Sequence, residues 1–381
     1  MFKLRHLILA LLALLSPLRL PPSALVYACP FCNAVQPSFA ELRAEAQAVV
    51  VGEALGCGNF TIRQVLDGAE ALGMPEALVV DDDRTAQGRL ALLLGKRVSS
   101  PATTTGDAWR WTVIAADETS LAYYVRAPVV SLPAVERLPY FVKYLEHADR
   151  DVAEDAFREF GRAPFDAVAA VAPSFPYELF RAWLVDPNVP GERKGFYGMA
   201  LGLAPPGADH EPNVELLRKV VTAPAGEFRA GFDGVLGGFL WAEAATALDL
   251  IDERFLRNSA AAEGDVRHAQ AALRFYLQYG RAIPEPRLVA SVALLLDRPA
   301  TAPGALQDLT RRRAWAYVAR AEKLFLASAG DDPALDRAAV GYLLVCPEAD
   351  ARAALKRLKQ AAPERTAEAI RSAELLGIRA E

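Results

Sequence analysis

From Leu138 onward, apolar residues recur at helical spacing. Leu138, Phe141, Val142 and Leu145 fall at i, i+3, i+4 and i+7, which gathers them on one face of a helix. His147-Ala148-Asp149 interrupts the pattern, and a second period runs from Val152 through Ala156, Phe157 and Phe160. Asp151 stands beside the start of that second helix, where a carboxylate interacts well with unpaired N–H groups and the helix dipole. Gly161 and Pro164 close it, as a glycine and a following proline commonly do. One such pair has an apolar side and nothing to cover it, so the unit Leu138–Ala170 predicts neighbours of its own kind.

The chain supplies them. Tyr177–Val185 with Pro190–Leu203, then Val214–Val221 with Val235–Leu248, read as the next pairs. Gly195, Gly198 and Gly202 share a helical face, and small residues at that spacing let a neighbouring helix approach closely. The strongest echo of the opening unit is Asp265–Ala282, where Val266, Ala269, Leu273, Tyr276 and Leu277 lie together. Leu288–Leu296, Leu306–Leu326, Leu335–Leu344 and Glu348–Gln360 follow, and Pro363–Leu376 is a charged last helix suited to capping an open end. The pairs recur at about forty residues, the range of HEAT-type helical repeats.

Before this array the texture is different. Ser38 with Glu41 three residues on is the reciprocal box that starts a helix, expected to run to about Ala46. Ala48–Glu53, Phe60–Leu66, Ala77–Asp81, Arg89–Leu94, Ala108–Ala115 and Leu121–Val125 are short β-like runs separated by Gly and Asp, a pattern that predicts a small barrel or sandwich. Cysteines ahead of a short helix, then AVVVGEAL, FTIRQVLDG and ALVVDD, resemble the netrin-like module, an OB-type β-barrel shared with tissue inhibitors of metalloproteinases. That resemblance implies a bridge from Cys57 to Cys29 or Cys32. It also implies zinc-directed protease inhibition through a free amine and carbonyl at Cys29, although C-x-x-C stands here where the inhibitors carry C-x-C. The whole layout, with CPFC, GDVRHAQAALRFYLQYG and LLLDRP, resembles a family of uncharacterised secreted bacterial proteins.

The expected class is thus an α+β multidomain chain. Residues 1–28 are a signal peptide, 29–128 the netrin-like OB-type barrel, 129–134 a linker, and 135–381 the HEAT-like α-helical array. Lys3 and Arg5, the apolar run Leu7–Leu15 and the small-x-small site Val26-Tyr27-Ala28 support export with cleavage before Cys29. Leu25–Cys29 loosely resembles a lipobox, so the expected membrane association is a lipid on Cys29 and nothing more.

The chain has 381 residues, 52% of them hydrophobic, and a formal net charge of −5. Intermixed acids and bases argue against capture of nucleic acid, and Arg311-Arg312-Arg313 reads as a solvated helix face. In an oxidising compartment Cys29, Cys32, Cys57 and Cys346 default to disulfides, with three pairings open for four cysteines. Cys346, far off in the helices, suits a buried free thiol. Cys29-Pro30-Phe31-Cys32 has the form of redox motifs, and thiol-disulfide exchange through Cys29 and Cys32 is the enzymatic alternative. His147, His210 and His268 show no ligand spacing, Asp81-Asp82-Asp83 reads as a solvated turn, and the five tryptophans read as core. No hydrolase or nucleotide motif is present. The reading is a non-enzymatic exported scaffold without catalytic residue, metal or cofactor, presenting its helices to a protein or peptide.

Overall fold

The computed structural model describes residues 36–73, 76–80, 85–99, 107–224 and 229–378. The signal peptide reading, Cys29, Cys32 and Asp81-Asp82-Asp83 lie outside them. What is described is an α+β chain, a curled half-barrel sheet followed by many helices.

Helix α1 (Phe39–Glu45) opens on the expected box: the Ser38 amide donates to the Glu41 carboxylate at 3.0 Å, and the Glu41 amide donates to the Ser38 hydroxyl at 3.4 Å. Five antiparallel strands follow, β1 (Ala48–Gly56), β2 (Asn59–Asp67), β3 (Ala77–Val79), β4 (Leu90–Ser99) and β5 (Asp107–Ala116), in the order β3-β2-β1-β4-β5. A single helical turn, α2 (Ala69–Leu72), separates β2 from β3. Side chains alternate between the two faces. Val49, Val51, Leu92 and Leu94 face the helices and belong to the main core. Val50, Ala54, Phe60, Ala91 and Leu93 form a second, smaller cluster on the other face.

The sixth β-like run is a helix instead. Leu121–Val125 lies in α3 (Glu118–Arg126), because Asp117 caps its start: one carboxylate oxygen accepts from the amides of Thr119 and Ser120 at 2.9 and 2.8 Å. Coiling the segment buries Tyr123 and Tyr124 side by side against the sheet and the first helix pair. A strand would point these two neighbours to opposite faces.

The array comprises α4 (Ala134–Phe141), α5 (Arg150–Arg162), α6 (Phe165–Val171), α7 (Tyr177–Val185), α8 (Gly191–Gly202), α9 (His210–Thr222), α10 (Phe232–Glu243), α11 (Ala245–Ile251), α12 (Glu263–Tyr279), α13 (Glu285–Leu294), α14 (Ala302–Arg311), α15 (Val318–Ser328), α16 (Pro333–Val345), α17 (Ala349–Ala361) and α18 (Pro363–Leu375). Leu138, Phe141, Val142 and Leu145 are all buried, as their spacing predicts. Along much of the array a helix packs on the helix two further along: α10 lies against both α8 and α12, α16 against both α14 and α18, and α15 against α17. This two-row stacking is how repeated helix pairs cover one another.

Two expected helices are broken. Val235–Leu248 divides at Ala244, which adopts φ +47° and ends α10. Leu306–Leu326 divides at the arginine run, where Arg313 adopts φ +53° between α14 and α15. Both residues have a positive φ, which a continuing right-handed helix does not allow.

The glycine stripe does what its spacing predicts. α8 and α10 meet through Gly195, Gly198 and Gly202 on one side and Gly231, Gly234 and Gly238 on the other. A Cβ at Gly238 would lie 2.0 Å from the Gly198 carbonyl oxygen, and one at Gly234 2.0 Å from that of Gly195. The backbones are therefore in direct contact. Arginines tie other helices together through buried carboxylates: Arg229 grips Asp265 at 3.1 and 2.6 Å, and Arg287 reaches Asp252 at 2.8 Å.

Candidate functional site

Of the three cysteines singled out for disulfide or redox chemistry, Cys29 and Cys32 lie outside the described residues. Cys57 is exposed and unbridged among the described residues, at the tip of the β1–β2 hairpin, with φ +52° between Gly56 and Gly58. The Asn59 side chain donates to the carbonyls of Gly56 and Cys57, both at 3.2 Å, and fixes this turn. Cys346 is the buried free thiol its position suggests.

The histidines are dispersed. His147 accepts the Asp149 amide at 3.1 Å, and His268 lies 3.5 Å from Asp233 on another helix. No cluster of three metal-ligating side chains occurs among the described residues. The tryptophans are half-buried rather than core. Trp111 lies opposite Gly95 and stacks on Trp109, and both rings cover the Gly95 backbone. Trp183, Trp241 and Trp315 pack on the margin of the main core.

Where the sheet meets the array, a buried carboxylate organises the contact. Asp155 on α5 accepts the Phe39 amide at 2.6 Å and the Tyr123 hydroxyl at 2.7 Å. One side chain thus holds α1, α3 and α5 together. Burial pushes the Asp155 carboxyl up to about 6, against the opposing pull of those two donors. Burial and the Asp155 charge together drive the Tyr123 phenol far above its ordinary value. Glu159, one turn on and also buried, pairs with Arg137 from α4. Neither carboxylate was singled out in the sequence. The available signal was an acidic residue inside the apolar stripe Val152, Ala156, Phe160.

The other end of the array carries a groove with a different chemistry. It has a volume of about 520 Å³, and Leu343, Val345 and Leu355 line it with Cys346. Its rim is Arg352, Lys356 and Lys359, at i, i+4 and i+7 on α17 and all exposed. Arg352 donates to the Pro347 carbonyl at 2.7 Å, just past the end of α16. Arg357 points elsewhere, held by Glu322 at 2.6 and 2.7 Å. Within Ala349–Ala361 four cations stand against Asp350 alone, although the whole chain is acidic. An apolar floor under a row of cations can hold an anionic, partly apolar ligand. The spacing of Arg352, Lys356 and Lys359 was readable in the sequence. That Leu343 and Val345 form the floor beneath them required the α16–α17 packing.

Among the described residues no helix is long and apolar enough to cross a membrane. Comparison with protein-family models, curated proteins and solved structures returns no match.

Proposed function

We propose that the protein is a non-enzymatic, exported binding scaffold, in which an OB-type, netrin-like half-barrel fronts a HEAT-like array that takes an acidic segment of a protein partner. The observation that supports this reading is the α16–α17 groove, an apolar floor rimmed by Arg352, Lys356 and Lys359 on a chain of net charge −5. Apolar anchors give such a contact its affinity, and opposite charge gives it register and speed of encounter. The charged start, apolar run and cleavage-like site of residues 1–28 support export, and a mature N-terminus at Cys29 is the expected result of N-terminal sequencing.

The binding test uses labelled peptides and fluorescence anisotropy with the mature chain. A peptide alternating Asp or Glu with Leu and Phe is expected to bind saturably, and more weakly as salt rises. Reversing the rim with Lys356→Glu and Lys359→Glu should abolish binding without changing the melting temperature, since both side chains are exposed. Equal affinity for a neutral peptide, or an unaffected reversal variant, would refute the reading.

A further inference from the structure

We propose that Arg274, Arg311 and Arg312 form a binding site for a phosphate group where α12 and α14 end, apart from the groove described above and independent of the peptide-binding reading. The three guanidiniums line a cavity of about 520 Å³ together with Leu277, Gln278 and Asp308. Asp308 is the only carboxylate in that lining among the described residues, and its side chain is buried. It accepts the Arg274 Nε at 2.8 and 2.7 Å through its two oxygens, and the Arg311 Nη1 at 3.2 Å.

The charge balance favours an anion. One carboxylate offsets one of three guanidiniums, and the two helix C-termini contribute about half a negative charge each. Glu285 lies 3.9 Å from Arg312 but is more than half exposed, so water screens it. About one positive charge remains, with guanidinium N–H groups to spare.

The cavity is also prepared before any ligand arrives. Asp308 fixes the head of Arg274, and the Leu277 carbonyl accepts an Arg312 Nη2 bond at 2.9 Å. Gly304 leaves the room this requires: a Cβ there would stand 2.7 Å from the Arg274 Nη2 and 2.8 Å from the side-chain amide of Gln270. Held guanidinium forks match tetrahedral oxyanions well, and holding them in advance lowers the ordering cost of binding.

Isothermal titration of the full chain with inorganic phosphate at constant ionic strength tests the site, with sulfate and acetate as comparison arms. Saturable one-site binding is expected for phosphate and sulfate, and weaker binding for acetate. Arg311→Gln alters a mostly exposed side chain, so the fold should persist while affinity drops about fivefold. Glu285→Gln removes the competing carboxylate and should tighten binding about twofold. Arg357→Gln, on α17, should change nothing. Absence of saturable heat with phosphate, an unaffected Arg311→Gln, or a loss of the same size in Arg357→Gln overturns the proposal; acetate binding as tightly as phosphate overturns the assignment to a phosphate group.

Discussion

The contact between α8 and α10 makes a sharp prediction about one methyl group. In Gly238→Ala the new Cβ would lie 2.0 Å from the Gly198 carbonyl oxygen, 2.8 Å from the Gly198 carbonyl carbon and 2.9 Å from the Met199 Cα. Ordinary contacts of this kind are about 3.5 Å, so the two helices must separate by more than about 1 Å. All three obstructing atoms are backbone, so no rotamer change relieves the clash. Separation also loosens Phe196, Tyr197, Val235 and Phe239, which are buried on these same helices. Overpacking a core costs about 1–3 kcal/mol, and a backbone clash places this case at about 3 kcal/mol or beyond.

The control is the same chemical change elsewhere. In Gly341→Ala the nearest atoms are side chains, the Ile378 Cδ1 at 3.4 Å and Cγ2 at 3.7 Å, which is normal van der Waals contact. Replacing a helix-interior glycine there should stabilise by about 0.5–1 kcal/mol. Thermal melts by circular dichroism separate the two. With about 2–4 °C per kcal/mol in a domain of this size, Gly238→Ala should melt about 6–12 °C below the parent and Gly341→Ala slightly above it. If Gly238→Ala melts within 2 °C of the parent, roughly half a kcal/mol on that scale, the direct backbone contact is wrong.

Two further predictions concern buried charge. The folded-state pKa of Asp155 is raised to about 6 from an ordinary 3.8, so between those values the native state holds the extra proton. Its contribution to stability is therefore full below about pH 4 and lost as pH rises through 6, by about 3 kcal/mol for a shift of this size. Asp155→Asn removes the titration; urea denaturation of both proteins from pH 4 to 7 should show the parent losing ground to the variant steadily, and a constant difference would rule the shift out. At Asp265, substitution by Ala strands the mostly buried Arg229, whose guanidinium also sits 3.4 Å from the Phe232 ring centroid. A loss of about 3 kcal/mol in urea denaturation is expected, and less than about 1 kcal/mol would show that Arg229 finds water instead.

The helical array was legible because its signal is local: Leu138, Phe141, Val142 and Leu145 repeat at a period that few other structures impose. Five of six β-like runs were legible for the same reason. Leu121–Val125 was misread because Leu, Ala, Tyr and Val suit a half-buried strand as well as a helix, and the deciding feature, the Asp117 cap, lies before the run. The breaks at Ala244 and Arg313, where φ is positive, carry no glycine or proline to announce them. The site residues were less legible still. Asp155 meets Tyr123 and Phe39 only in three dimensions, 32 and 116 residues away. Asp308 stands three residues before Arg311 of the arginine run, a pairing that helical spacing makes readable, but Arg274 lies more than 30 residues upstream and no spacing rule joins it to them.

An array of helix pairs has two open ends, and the half-barrel closes the first. The main core passes without interruption from Val49, Val51, Leu92 and Leu94 of the sheet, through Tyr123 and Tyr124, to Leu138, Phe141 and Leu145. A chain beginning at Val129 would lose Phe39, Tyr123 and Tyr124 from this core. Each buries about 150–250 Å², worth about 4–6 kcal/mol at 25 cal/mol per Å². The three together, about 12–18 kcal/mol on that scale, reach or exceed the whole stability of an ordinary domain, about 5–15 kcal/mol. Asp155 would lose both donors as well, exposing α5 to water where it now meets α1 and α3. The truncated array is therefore expected to expose apolar surface, bind a hydrophobic dye and elute as aggregate on gel filtration. A monodisperse fragment melting like the full chain would show that the sheet is an appendage. The prediction follows from the core's continuity alone: residues 36–128 act as the array's end cap, whatever they bind in addition.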